Sequence, residues 1–159
     1  MQKIDAAHQS QWAMAEVVFG VMLALGLALD YVWPLYFGWP ANSWWRHIIG
    51  APLLLLGGAI IAKAKAELAH HDQPSEPGAP TQRVVTSGAF KFSRNPLYTG
   101  LVVALIGLAA ALDKPWLLLL APVAMLVTTQ FLVVPEERYL EAKFGDEYRR
   151  YKKKVRRWL

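Results

Sequence analysis

Four long apolar segments separated by short polar stretches restrict this chain to folds that cross a membrane. They cover approximately residues 12–33, 48–62, 97–112 and 115–134. A helix needs about 20 mostly apolar residues to span a bilayer, and backbone inside lipid must satisfy its own hydrogen bonds. We therefore predict an all-α integral membrane protein with four transmembrane helices, organised as one domain over residues 1–159.

The composition agrees with a membrane protein. Hydrophobic residues make up 55% of the chain and charged residues 18%, whereas soluble domains carry about 25% charged residues. Cysteine is absent, which excludes disulfides, a thiolate nucleophile and a cysteine metal site. The four histidines show no metal-binding spacing, so we predict no metal.

Basic residues are distributed unevenly between the two sides that four spans would define. The N-terminal lead carries 1, the loop 63–96 carries 5 and the tail from Glu136 carries 9, whereas the opposite loops carry only Arg46 and Lys114. The positive-inside rule therefore predicts that both termini face the cytoplasm. Basic residues interleaved with tyrosines beside the spans favour membrane-surface contact and no nucleic-acid binding.

Small residues recur at helical spacing within two of the spans. Gly20, Ala24 and Ala28 share one face of the first span, which predicts a surface for close helix packing. The third span shows the same pattern at Gly100, Ala104, Gly107 and Ala111. We expect these faces to bring neighbouring helices close together.

Two polar stretches adjoin the last two spans and carry most of the chemistry. In the first, 82–98, Asn95-Pro96 reads as a helix start with Asn as the cap. The second, 135–155, is predicted to form an amphipathic helical tail interrupted at Gly145. We expect the two stretches to fold together at the membrane surface around a small-molecule site.

Glu136 and Glu137 leave the fourth span together. Successive residues of a helix point about 100° apart, so one can face a pocket while the other pairs with a cation such as Arg94. Taken alone, such a pair is most simply a surface salt bridge, which contributes little stability. The basic run 149–154 is most simply an anchor for lipid headgroups.

The combined pattern narrows these alternatives. The chain resembles the isoprenylcysteine carboxyl methyltransferase and phospholipid methyltransferase superfamily in three consecutive features. These are the motif TSGAFKFSRNPLYTG, a predicted helical hairpin and the motif EERYLEAKFGDEYRRYKKKV. The resemblance covers residues 82–155. It implies a bacterial-type membrane methyltransferase that uses S-adenosyl-L-methionine and releases S-adenosyl-L-homocysteine. We therefore expect it in a bacterial inner membrane, with the active site facing the cytoplasm.

The resemblance also implies site residues, matched position by position. Glu137 and Arg94 are the candidate catalytic residues. The implied cofactor contacts are Gln82, Arg83, Val84, Val85, Phe90, Asn95, Pro96, Leu97, Tyr98 and Glu136.

Two departures from the resembled pattern leave the acceptor open. Asn95 stands where the eukaryotic prenylcysteine enzymes have His, and Leu132 stands where they place a substrate-linked arginine. The expected partner is a lipid or prenylated acceptor, with an isoprenylcysteine-type carboxylate as one candidate. The alternatives are a phospholipid-type amine, a thiol, or no reaction at all in a scaffold that binds anionic lipid.

Overall fold

The computed structural model describes residues 15–39, 44–74 and 81–159, whose regular secondary structure is helical and includes no strand. The helices are α1 (Ala15–Val32), α2 (Trp45–His70), α3 (Pro96–Leu112), α4 (Pro115–Thr128), α5 (Val134–Phe144) and α6 (Asp146–Lys154). A 3₁₀ turn, Gly88–Lys91, precedes α3, and a π-helical turn, Thr129–Val133, joins α4 to α5. The all-α prediction is confirmed for these residues, while residues 12–14 of the first predicted span lie outside them.

Three helices in the described ranges are long and apolar enough to cross a membrane. They are α1, α2 and the continuous helix Pro115–Phe144, whereas α3 is apolar but has 17 residues. Large apolar side chains point away from the protein, such as Leu55 at 74% and Leu126 at 65% exposure. Apolar surface of this extent is typical of contact with lipid. The four-span topology stays a prediction.

Helices α2 and α3 pack with their backbones almost in contact. A Cβ added to Gly57 would lie 2.6 Å from the carbonyl oxygen of Gly100, and one added to Gly107 would lie 2.7 Å from the backbone nitrogen of Leu54. Gly50 faces Ala111 in the same way. The small-residue face predicted for the third span is therefore confirmed as a packing face.

Helix α1 packs on α4 through a different face from the predicted one. Phe19 and Gly26 are buried, with Gly26 against Leu117, whereas Gly20, Ala24 and Ala28 are exposed. The prediction that those three small residues form a packing face is wrong for the contacts within this chain. Instead, the bulky Phe19 of α1 packs into a buried apolar cluster with Leu105 of α3 and Leu117 of α4.

The helix boundaries next to the polar stretches follow from a few residues. Asn95 occupies the cap position before Pro96, although its side chain makes no capping hydrogen bond. Gly145, at φ 53°, ends α5 as predicted. Pro135 has no N–H to donate, and the π-helical turn that ends at Val133 is a helix irregularity that often occurs at functional sites.

The α2–α3 contact predicts different effects for two neighbouring glycines. Gly57→Ala should lower the free energy of unfolding by about 1–3 kcal/mol, because the new methyl group would press on the backbone of α3. Gly58→Ala is the matched control, since a Cβ at Gly58 meets open space. Thermal unfolding in detergent measures both, and equal melting temperatures would contradict the packing.

Candidate cofactor site

The two polar stretches meet around one cavity with about 760 Å³ of empty space, part of it open to solvent. The wall of the cavity is formed by the first stretch, by the start of α3, and by α5 and α6. The sequence-predicted residues that line it are Arg83, Val84, Val85, Phe90, Arg94, Asn95, Pro96, Leu97, Tyr98 and Glu136. Gln82 and Glu137 lie outside this lining.

Glu136 supplies the carboxylate of the cavity. It lies in the first turn of α5, and the Tyr98 hydroxyl donates to its Oε2 over 3.2 Å. Tyr98 is buried in a cluster with Leu132 and Val133, so the hydroxyl is held in place by the packing of its ring. The arrangement leaves a carboxylate with one fixed hydrogen-bond donor on the cavity wall.

Aromatic side chains of α6 close the cavity on another side. Tyr148 and Tyr151 pack with Val84 and Phe90, and the Tyr151 hydroxyl donates to the Phe90 carbonyl over 2.8 Å. Burial raises the pKa of both tyrosines, so their hydroxyls stay neutral. The apolar stripe of the tail therefore faces the first polar stretch.

A buried ion cluster lies directly behind the wall. Glu137 is 5% exposed and accepts hydrogen bonds from Arg157 Nε at 3.1 Å and Nη2 at 2.8 Å. Arg94 Nη1 lies 3.0 Å from Glu137 Oε1. The hydrogen bond to Glu137 raises the pKa of Arg157. Of the two expected catalytic residues, Arg94 thus lines the cavity, whereas Glu137 lies behind it and pairs with both guanidiniums.

The end of α2 holds the first polar stretch in place. The Gln73 side-chain oxygen accepts the backbone N–H groups of Gln82, at 2.7 Å, and Arg83, at 3.2 Å. The Ser87 hydroxyl donates to the Glu67 carboxylate. Gln82 therefore acts through its backbone in this structure, and its side chain is exposed.

Several lining residues were missed from the sequence: Leu68, Gln73, Pro74, Thr81, Leu140, Tyr148 and Tyr151. Tyr148 and Tyr151 had a usable signal, since their spacing places both on one helical face. Gln73 had no such signal, because its hydrogen bonds go to Gln82 and Arg83, and the sequence does not show that these residues lie beside it. A second, mostly apolar groove shares Pro96 with the cavity and includes Lys63 and Lys91.

Comparison with known proteins identifies the family of the chain. The phospholipid methyltransferase family model matches residues 45–147, which include α2 to α5 and the cavity residues up to Leu140 but not Tyr148 and Tyr151 of α6. The chain therefore belongs to the phospholipid methyltransferase family, part of the superfamily that the motifs resemble. The family implies a methyltransferase, and the apolar helices imply association with a membrane.

Neither a similar protein nor a solved structure gives further information about the function. An uncharacterized protein of Haemophilus influenzae is 48% identical over 63 residues, which are 40% of this chain and 100% of the relative. No solved structure matches.

Proposed function

We propose that the protein transfers a methyl group from S-adenosyl-L-methionine to a lipid-like acceptor at the membrane surface. One observation carries the proposal. A single cavity at the edge of the apolar helices combines the Glu136 carboxylate, the Arg94 guanidinium and an aromatic wall. The family supplies the reaction class, and the cavity supplies groups that suit this donor.

The residues of the cavity fit the chemistry of the donor. Glu136 can hold the donor's ammonium group in a charge-assisted hydrogen bond, and Tyr98 fixes the direction of that carboxylate. The rings of Phe90, Tyr148 and Tyr151 offer aromatic surface for the adenine and for the positive sulfonium. The cavity thus has a carboxylate for the donor's ammonium group and aromatic rings for its adenine and its sulfonium.

The donor, when bound, supplies an electrophilic methyl group: its sulfur–carbon bond breaks as the acceptor's lone pair forms a new bond, leaving a neutral thioether. The protein's contribution is to hold both reactants in line and to keep water away. The apolar residues Val84, Leu140 and Tyr148 line the cavity and serve the second purpose. A carboxylate acceptor needs no base, whereas an amine or a thiol must also lose a proton.

Two observations bear on the class of the acceptor. Prenylcysteine enzymes have an arginine at the position of Leu132, which here is 0% exposed in an apolar cluster. A cation for a carboxylate acceptor is therefore missing there, and this favours a phospholipid-type amine over an isoprenylcysteine-type carboxylate. The apolar groove beside Pro96 is lined by Lys63, Lys91 and Glu67, and the Glu67 carboxylate accepts the Ser87 hydroxyl. Its two lysines suit an acyl chain that ends in a phosphate.

We further propose four membrane spans with both termini and the cavity in the cytoplasm of a bacterial cell. The distribution of Lys and Arg supports this orientation. At the opposite end of the helices, Asp30 pairs with Lys114, and the Phe37 N–H donates to Asp113 Oδ1 over 3.0 Å. Among the described residues of that end, these polar groups pair with one another, whereas the cavity lies at the other end of the helices.

Glu136→Gln should weaken binding of S-adenosyl-L-homocysteine by about 10–100-fold, the effect of losing one charged hydrogen bond of about 1.5–3 kcal/mol. Glu141→Gln is the matched control, because Glu141 pairs with Lys152 outside the cavity lining. Isothermal titration calorimetry of the purified proteins measures both. Equal effects would reject the site, and no saturable binding by the unmodified protein would favour the lipid-binding scaffold.

The acceptor class predicts where a transferred methyl group is found. With methyl-labelled donor and a bacterial lipid extract, we expect the protein to label the lipid fraction and the label to survive mild base, as an N-methyl amine does. Methyl esters hydrolyse under those conditions, so base-labile label would instead identify a carboxylate acceptor. Label that stays in the aqueous phase would contradict a lipid-like acceptor.

The absence of cysteine makes the topology directly measurable. Tyr36→Cys and Asp146→Cys place single thiols at positions whose native side chains are exposed, on the two opposite ends of the helices. A membrane-impermeant maleimide should label Tyr36→Cys in intact spheroplasts and Asp146→Cys only after permeabilisation. The reverse pattern would place the cavity outside the cytoplasm.

A further inference from the structure

The groove beside the cavity lies between the end of α2, the turn Gly88–Lys91 and the start of α3. It holds about 1460 Å³ of empty space, part of it open to solvent, and most of its lining is apolar. Two large apolar side chains of this lining, Phe92 and Leu159, are 75% and 73% exposed. Open apolar surface next to membrane-type helices suits the acyl chains of a lipid.

Lys63 and Lys91 add positive charge to this apolar lining. Both side chains are exposed, and neither forms an ion pair with a residue that the structure describes. Lys63 follows Ile60 by three residues on α2, so a cation and an apolar side chain lie in sequence along one helical face. Lysines at the end of an apolar helix attract the anionic groups of lipids.

Glu67 is the only acidic side chain among the described residues of this lining, and other groups already bind it. The Ser87 hydroxyl donates to its carboxylate, and His71 Nε2 lies 3.3 Å from its Oε1. Neither lysine of the groove pairs with it. The lining therefore offers two cations for an anion, but no unengaged side-chain carboxylate for an amine.

We propose that this groove binds a membrane phospholipid, with the phosphate held by Lys63 and Lys91 and the acyl chains lying along Ile60 and Phe92. The groove recognises the phosphate and not the amine. Phospholipids that cannot be methylated, such as phosphatidylglycerol, therefore occupy it as well as an amine-bearing lipid does. The inference rests on the proposed function only where the bound lipid is the methyl acceptor, because binding itself involves no methyl transfer.

Two short-chain lipids that differ at the phosphate test this inference. Dihexanoyl phosphatidylglycerol should bind saturably to the purified protein in a non-ionic detergent, whereas dihexanoylglycerol, which has the same acyl chains, should not. Lys63→Gln and Lys91→Gln should each weaken binding of the phosphate-bearing lipid by about fivefold, the scale of one lysine near an anionic lipid surface. Isothermal titration calorimetry measures these affinities.

Lys65→Gln is the matched control. Lys65 is exposed on the same helix and carries the same charge, but it lies outside the groove lining, so its removal should leave lipid affinity unchanged. Lys91→Arg keeps the charge and should retain the affinity. Equal melting temperatures of all four variants would show that the losses come from the groove and not from unfolding.

The outcomes separate this inference from the proposed function. Equal binding of the two lipids, equal weakening by the Lys63, Lys91 and Lys65 variants, or clearly tighter binding of dihexanoyl phosphatidylethanolamine than of dihexanoyl phosphatidylglycerol would overturn the inference and leave the donor site standing. Failure of the unmodified protein to bind S-adenosyl-L-homocysteine would contradict the proposed function, whereas phosphate-dependent lipid binding would still support the groove.

Discussion

The close contact between α2 and α3 is the constraint on which the rest of the structure depends. Gly57 and Gly100 allow the two backbones to approach, and this fixes the end of α2 beside the start of α3. Gln73, just beyond α2, can then hold the loop at Gln82, while Pro96 and Tyr98 begin the cavity wall. The close packing of small residues between α2 and α3 thus positions a polar site at one end of these helices.

The paired acids show how one helix serves two purposes. Glu136 and Glu137 are neighbours on α5, and the rotation of about 100° between successive helical residues separates their surroundings. Glu136 faces the cavity beside Tyr98, whereas Glu137 binds Arg94 and Arg157 behind the wall. A buried carboxylate with two cations holds the tail, the loop and the helix together.

Local signals in the sequence were sufficient for the helices, and the family resemblance supplied much of the candidate site. The apolar runs predicted the helical class, Asn95-Pro96 predicted the start of α3, and Gly145 predicted the end of α5. Tertiary contacts decided the rest. Gln73 and Arg157 act across 9 and 20 residues of sequence, and no local pattern marks such partners. Similarly, small residues alone could not show which face of α1 packs.

We propose above that the stretches 82–98 and 135–155 form one donor site. Hydrogen–deuterium exchange with and without S-adenosyl-L-homocysteine tests it most directly, because each stretch is followed separately. We expect the ligand to slow exchange in both stretches and to leave exchange in α1 unchanged. Protection of only one stretch, or of neither, would contradict a site built from the two together.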